Sequence, residues 1–101
     1  MLIFNTTYKV ATKRTVEWQQ WINESHIPFM LNSGEFSKPQ VAKVIGSEDD
    51  GGVSFSVQFH IVDMNILMSW HQTNATDFQN NCSAKFGEEV VFFTTVLELI
   101  D

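Results

Sequence analysis

The sequence predicts an α+β fold: a ferredoxin-like βαββαβ chain, whose four-stranded antiparallel sheet carries two helices on one face. Three observations carry this. Segments with the two-residue period of a strand and segments with the 3.6-residue period of a helix follow one another as strand, helix, strand, strand, helix, strand. There are no repeats, linkers or low-complexity tracts, and 101 residues make one domain, 1–101, the natural count. The final strand is apolar on both sides, so something must cover the second face of the sheet. Another copy of the same sheet is the simplest cover.

The elements follow in order. LIFNTTYKV, residues 2 to 10, alternates Phe4, Thr6, Tyr8 and Val10 with Ile3, Asn5, Thr7 and Lys9, as a strand does. A helix is expected from about Lys13 to Ser33, with Trp18, Trp21, Ile22, Ser25 and Phe29 on one face and Gly34 as its stop. Residues 37 to 46, SKPQVAKVIG, read as a second strand. Pro39 cannot donate to a ladder, which points to an edge or a strand start. SEDDGG, residues 47 to 52, is an acidic turn without calcium-loop spacing. GVSFSVQFHIV, residues 52 to 62, points Val53, Phe55, Val57, Phe59 and Ile61 one way. Ser54, Ser56, Gln58 and His60 point the other. Asp63 is placed to cap a second helix, which ends at Gly87. Its expected stripe runs from Met64, Leu67, Met68 and His71 to Ala75, Phe78, Cys82 and Phe86, with a break where Thr73–Thr76 hold poor helix formers. EVVFFTTVLELI, residues 89 to 100, closes the sheet.

Charge and composition exclude several classes. The net charge is −6, and the basic residues Lys9, Lys13, Arg14, Lys38, Lys43 and Lys85 form no cluster. Nucleic acid and anionic membrane surfaces both need a basic face. Cys82 is the only cysteine, so no intrachain disulfide forms. With no leader and no long apolar run, the expected compartment is the cytoplasm. No triad, phosphate loop or metal-ligand spacing is present, so no cofactor and no metal is expected.

Some stretches carry a resemblance. FNTT at 4 to 7, the Ile27-Pro28 step, GGVSFSVQF at 51 to 59 and FGEEVVFFTTVLELID at 86 to 101 are similar to a family of small, uncharacterised bacterial proteins, a domain of unknown function. The resemblance spans nearly the whole chain. It implies the dimeric α/β-barrel branch of ferredoxin-like proteins and a homodimer, and it brings no active site. A looser similarity, through His26-Ile27-Pro28, is to cofactor-free monooxygenases and isomerases on the same barrel.

The candidate site residues have two readings each. Pro28 removes a helical hydrogen bond and pushes Ile27 from helical dihedrals, so a kink is expected there, either to wrap the helix round the sheet or to open a cleft. His26 is expected at the margin of the helix face, as a partly exposed residue or a pocket-rim acid–base group. His71, in mid-stripe, is expected to be buried and neutral, as a core histidine or a ligand contact. A pocket between helices and sheet would be lined by Trp21, His26, Phe29, Phe55, Phe59 and His71. Asn5, Thr7, Ser54, Ser56 and Gln58 share the other sheet face and would form a polar network at the dimer interface. Three functions stay open: a homodimer that binds a small hydrophobic ligand or regulates, a cofactor-free enzyme for a small hydrophobic or aromatic substrate, and an interaction dimer without ligand.

Overall fold

A computed structural model describes residues 1–46 and 51–100; most of the acidic turn lies outside them. The strands are β1 (Leu2–Ala11), β2 (Phe36–Lys43), β3 (Gly52–Ile61) and β4 (Val90–Glu98), and the sheet order is β2-β3-β1-β4. All pairs are antiparallel. Phe4 lies between Phe59 and Val96, and Tyr8 lies between Phe55 and Phe92. This register puts the apolar parity of β1 and β3 on one face, and both helical layers bury it.

β2 is an edge strand, as Pro39 predicts. Its register with β3 slips between Ser37 and Gln40, where Lys38 adopts φ 52. The bulge absorbs the missing proline donor at the side of the sheet with no further neighbour.

The first helical region is not one regular helix. A 3-10 turn (Thr12–Arg14) leads into α1 (Thr15–Trp21), a π-helical turn (Ile22–His26) and α2 (Ile27–Leu31). The Ile27 N–H bonds to the Ile22 carbonyl, five residues back. The expected interruption therefore falls just before Ile27–Pro28, and Ile27 keeps helical dihedrals, contrary to expectation. A π turn takes up one surplus residue. Its effect is on phase. Trp18, Ile22, His26 and Met30, spaced four apart, all face the core. In an unbroken α-helix that row would drift round the helix by ~40° per step. Ser25, assigned to the core face on α-helical phase, is exposed, and Phe29 is half-buried.

The second helix, α3 (Met64–Phe86), runs unbroken through Thr73–Thr76. Asn74 there donates its side-chain amide to the Trp70 carbonyl, and Thr73 its hydroxyl to the Ser69 carbonyl. Local bonds of this kind let poor helix formers sit within a helix that packing holds. Asp63 caps it as expected, accepting from the Ile66 N–H at 2.9 Å. Gly87, at φ 58, ends it. Its buried row is Leu67, Trp70, Phe78, Cys82 and Phe86. Met64, Met68 and His71 are exposed, and Trp70 takes the central place expected of His71.

The core is largely aromatic. Trp18 stacks on Phe55 with centroids 4.6 Å apart, and Phe4 meets Phe36, Trp70 and Phe78 at 5.7 to 5.8 Å. At one end Arg14 ties the layers. It pairs with Glu17 and Glu89, reaches the Lys85 carbonyl and lies over the Phe86 ring. Glu89 also meets Lys13, and hydrogen bonds from Lys13 and then Arg14 hold its carboxyl below the usual range.

Candidate functional site, a groove above a caged histidine

α3 and β4 do not close on each other. Between them lies a groove of about 330 Å³, lined by Phe4, Met64, Leu67, Met68, His71, Gln72, Thr94 and Val96. A recess of about 180 Å³ continues it along α3, past Trp70, Ala75, Phe78, Gln79, Phe92 and Phe93. The two share Phe4, His71 and Thr94. The groove walls are mostly apolar and those of the recess about evenly polar and apolar; the polar groups include hydroxyl, amide and imidazole, and among the described residues no Asp, Glu, Lys or Arg lines either part. A mostly apolar concavity with a few polar groups is the usual form of a small-molecule site.

The pocket expected from sequence is differently placed. Trp21, His26, Phe55 and Phe59 are buried in the packed core, and Phe29 is half-buried beside it. Of the six residues only His71 lines the groove, and it does so exposed rather than buried. Met64 and Met68, expected on the core stripe, are groove wall instead. Gln72, Thr94 and Val96 went unrecognised. Their signal was parity: Thr94 and Val96 pair with Thr6 and Phe4 and so face the helices, but on an edge strand that α3 does not fully cover.

His26 is also elsewhere than expected. It is 2% exposed, and neither ring nitrogen has a hydrogen-bond partner among the described residues. Rings surround it. Trp21 stacks at 5.2 Å, Phe78 lies at 5.6 Å, Tyr8 at 6.1 Å and Phe59 at 6.2 Å between centroids. Burial pushes its pKa down to about 4, so at neutral pH it is an uncharged imidazole. Leaving one buried polar group unpaired costs roughly 1–3 kcal/mol. The row of four set by the π turn is what aims it inward.

Two other buried groups are quiet. Burial raises the Tyr8 hydroxyl well above its ordinary value, with a smaller contribution from Cys82. It pushes the Cys82 thiol up to about 11, far from a nucleophilic thiolate. We expect native protein to resist Ellman's reagent at pH 8, with Cys82 reacting at the rate of a free thiol only in denaturant. Fast labelling of the native chain would contradict the buried placement. Among the described residues no three His, Cys, Asp or Glu side chains gather as a metal site.

On the opposite sheet face the polar parity forms a bonded ladder. Ser56 donates to Asn5 Oδ1 at 2.5 Å, Asn5 donates to Thr7 Oγ1 at 3.2 Å, and Gln58 donates to Ser56 Oγ at 3.4 Å. Ser54 lies on the same face, half-buried, opposite Lys9, and so does His60, opposite Ile3 and Ser37. Beside the ladder, β4 presents Val91, 56% exposed, and Phe93, 62% exposed, with Leu97 beyond them.

The model of a family described as a domain of unknown function (DUF4286) matches residues 1–100. No curated protein matches the chain in sequence. Among solved structures the chain is similar to HapK from Hahella chejuensis, with a TM-score of 0.71 and 11% identity, over 99% of this chain and 93% of that one. It is also similar to two dimeric ferredoxin-like proteins from uncultured marine organisms. One has a TM-score of 0.68 at 7% identity, over 100% of this chain and 96% of the other. The second has a TM-score of 0.58 at 10% identity, over 99% and 96%. At these identities the likeness shows the ferredoxin-like fold. No helix among the described residues is long and apolar enough to cross a membrane.

Proposed function

We propose that the chain, which belongs to the DUF4286 family, is a single ferredoxin-like domain that pairs through its sheet and binds a small, uncharged, apolar ligand in the α3–β4 groove. The groove carries this reading: it is open, apolar, free of charged walls and adjacent to the exposed face of β4. Homodimer formation is supported by Val91, Phe93 and Leu97, exposed apolar side chains on the face of β4 away from the helices, with Thr95 between the last two. Two of the structural neighbours are described as dimeric. In the dimer the ladder of Asn5, Thr7, Ser56 and Gln58 would fix register. The net charge of −6 disfavours a nucleic-acid partner, and the cytoplasm is the proposed compartment. If the ligand is a substrate, acid–base work falls to His71, among the described residues the only titratable group on the groove wall.

N-phenyl-1-naphthylamine, a neutral fluorophore, tests the groove. Saturable binding is expected at micromolar concentration, weakened at least roughly tenfold in Met68→Glu, which places a charge in the apolar wall at a solvent-accessible position. No saturable binding, or binding indifferent to Met68→Glu, would refute the groove. Light scattering tests the pairing. A dimer mass is expected for the wild type and a monomer mass for Phe93→Asp; a monomeric wild type would end that part of the proposal.

A further inference from the structure

Resting on the groove reading, we infer that His26 is the polar anchor of an interior extension of the groove, reached when Phe78 rotates, and that the occupant is a neutral aromatic molecule bearing one O–H or N–H group.

The first support is the histidine's situation. It is sealed in the core with both ring nitrogens unpartnered. Buried polar groups nearly always have partners, so an orphan with two vacant bonding positions calls for one. Packing alone gives no reason for it, because the cage of Tyr8, Trp21, Phe59 and Phe78 would take an apolar side chain. The π turn that keeps His26 on the inward row is of a type concentrated at functional sites.

The second support is proximity to the groove. Phe78 is both a wall of the recess and a wall of the cage, with its centroid 5.6 Å from that of His26. One ring therefore separates them. Phe92 backs Phe78 at 5.7 Å and also lines the recess. A turn of Phe78 toward the recess is the movement that would join recess and cage.

The chemistry of the walls sets the ligand class. Neutral imidazole offers one donor and one acceptor, which suits a single hydroxyl or N–H group. The cage walls are ring faces and edges, which suit a flat aromatic body. Among the described residues no charged side chain lines the recess, and the cage contacts of His26 are aromatic rings, so an ionic head would lie buried and unpaired.

Phenol and toluene, alike in shape and different in one hydroxyl, test this on the full chain carrying ring-¹⁵N histidine. Saturating phenol is expected to shift both His26 ring nitrogens, and toluene to leave them in place. His26→Leu should weaken phenol binding roughly tenfold and toluene binding less than about twofold. If phenol shifts His71 alone, or binds His26→Leu as well as wild type, the anchor is refuted while the groove stands. If the His26 nitrogens already report a hydrogen bond to trapped water that phenol does not alter, the anchor is again refuted. If neither probe nor the naphthylamine binds, the groove itself fails and the anchor with it. Should His26→Leu not fold, the wild-type nitrogen shifts decide alone.

Discussion

Between about pH 6.5 and about 4 the protein is expected to lose roughly 3 kcal/mol of folding stability through His26 alone. In the unfolded chain this imidazole takes its proton near 6.5; in the fold, burial holds it neutral down to about 4. Across that window the unfolded state binds one more proton than the native state, so stability falls as pH falls. Above 6.5 neither state is protonated there and His26 contributes no slope. The ring contacts of His26 bring one other titratable side chain, Tyr8, whose raised value keeps it silent in this range. Urea unfolding at pH 7, 5.5 and 4.5 measures the slope. His26→Leu should remove it between 6.5 and 5, before carboxylates dominate, and should be as stable as wild type or more so at pH 7, since it removes an unpaired polar group. A wild type with flat stability from pH 7 to 5 would show that His26 is hydrated or partnered.

Trp18→Ala is expected to cost roughly 3–5 kcal/mol, a large share of the ~5–15 kcal/mol typical of a domain. Trp18 is 0% exposed, stacks on Phe55 and meets Tyr8 at 5.2 Å, so its loss leaves a cavity bounded by rigid rings that collapse poorly. The melting temperature should drop by roughly 15–30 °C. Trp18→Phe should cost far less, because it keeps a ring in the stack and removes an indole N–H that has no partner. Val16→Ala, two residues away at an exposed position, should change stability by less than about 0.5 kcal/mol. Circular dichroism melts of the three variants separate these outcomes.

Most of the architecture was legible because it depends on short-range signals. The alternation in GVSFSVQFHI fixes which face of β3 is buried, Asp63 caps its helix, and Gly34 and Gly87 close the two helical regions at positive φ. Long-range phase was not legible. One surplus residue in the π turn rotates everything after it, so His26 and Met30 moved inward and Ser25 moved out. On α3 the error was in the centre of the stripe. Met64, Met68 and His71 are apolar or amphipathic enough to read as core, and only the incomplete cover of β4 leaves them facing open space. Local sequence cannot show how far one layer overhangs another. The groove was missed for that reason, and the caged histidine for the reason of phase.

The two margins of the sheet are unlike. β2 ends it with a proline, a left-handed lysine and a slipped register. β4 ends it with nine residues, Val90–Glu98, among which Glu98 is the only charge and proline is absent. A foreign strand can add to the β4 side; the β2 side rejects one. For a destabilised or concentrated sample this asymmetry limits what can grow. Two molecules can join β4 to β4 about a two-fold axis, but the composite then shows only β2 margins outward, and no third molecule can dock. Misassembly along the sheet is thereby capped at a closed pair, and fibrils built by successive strand addition have no second end from which to propagate.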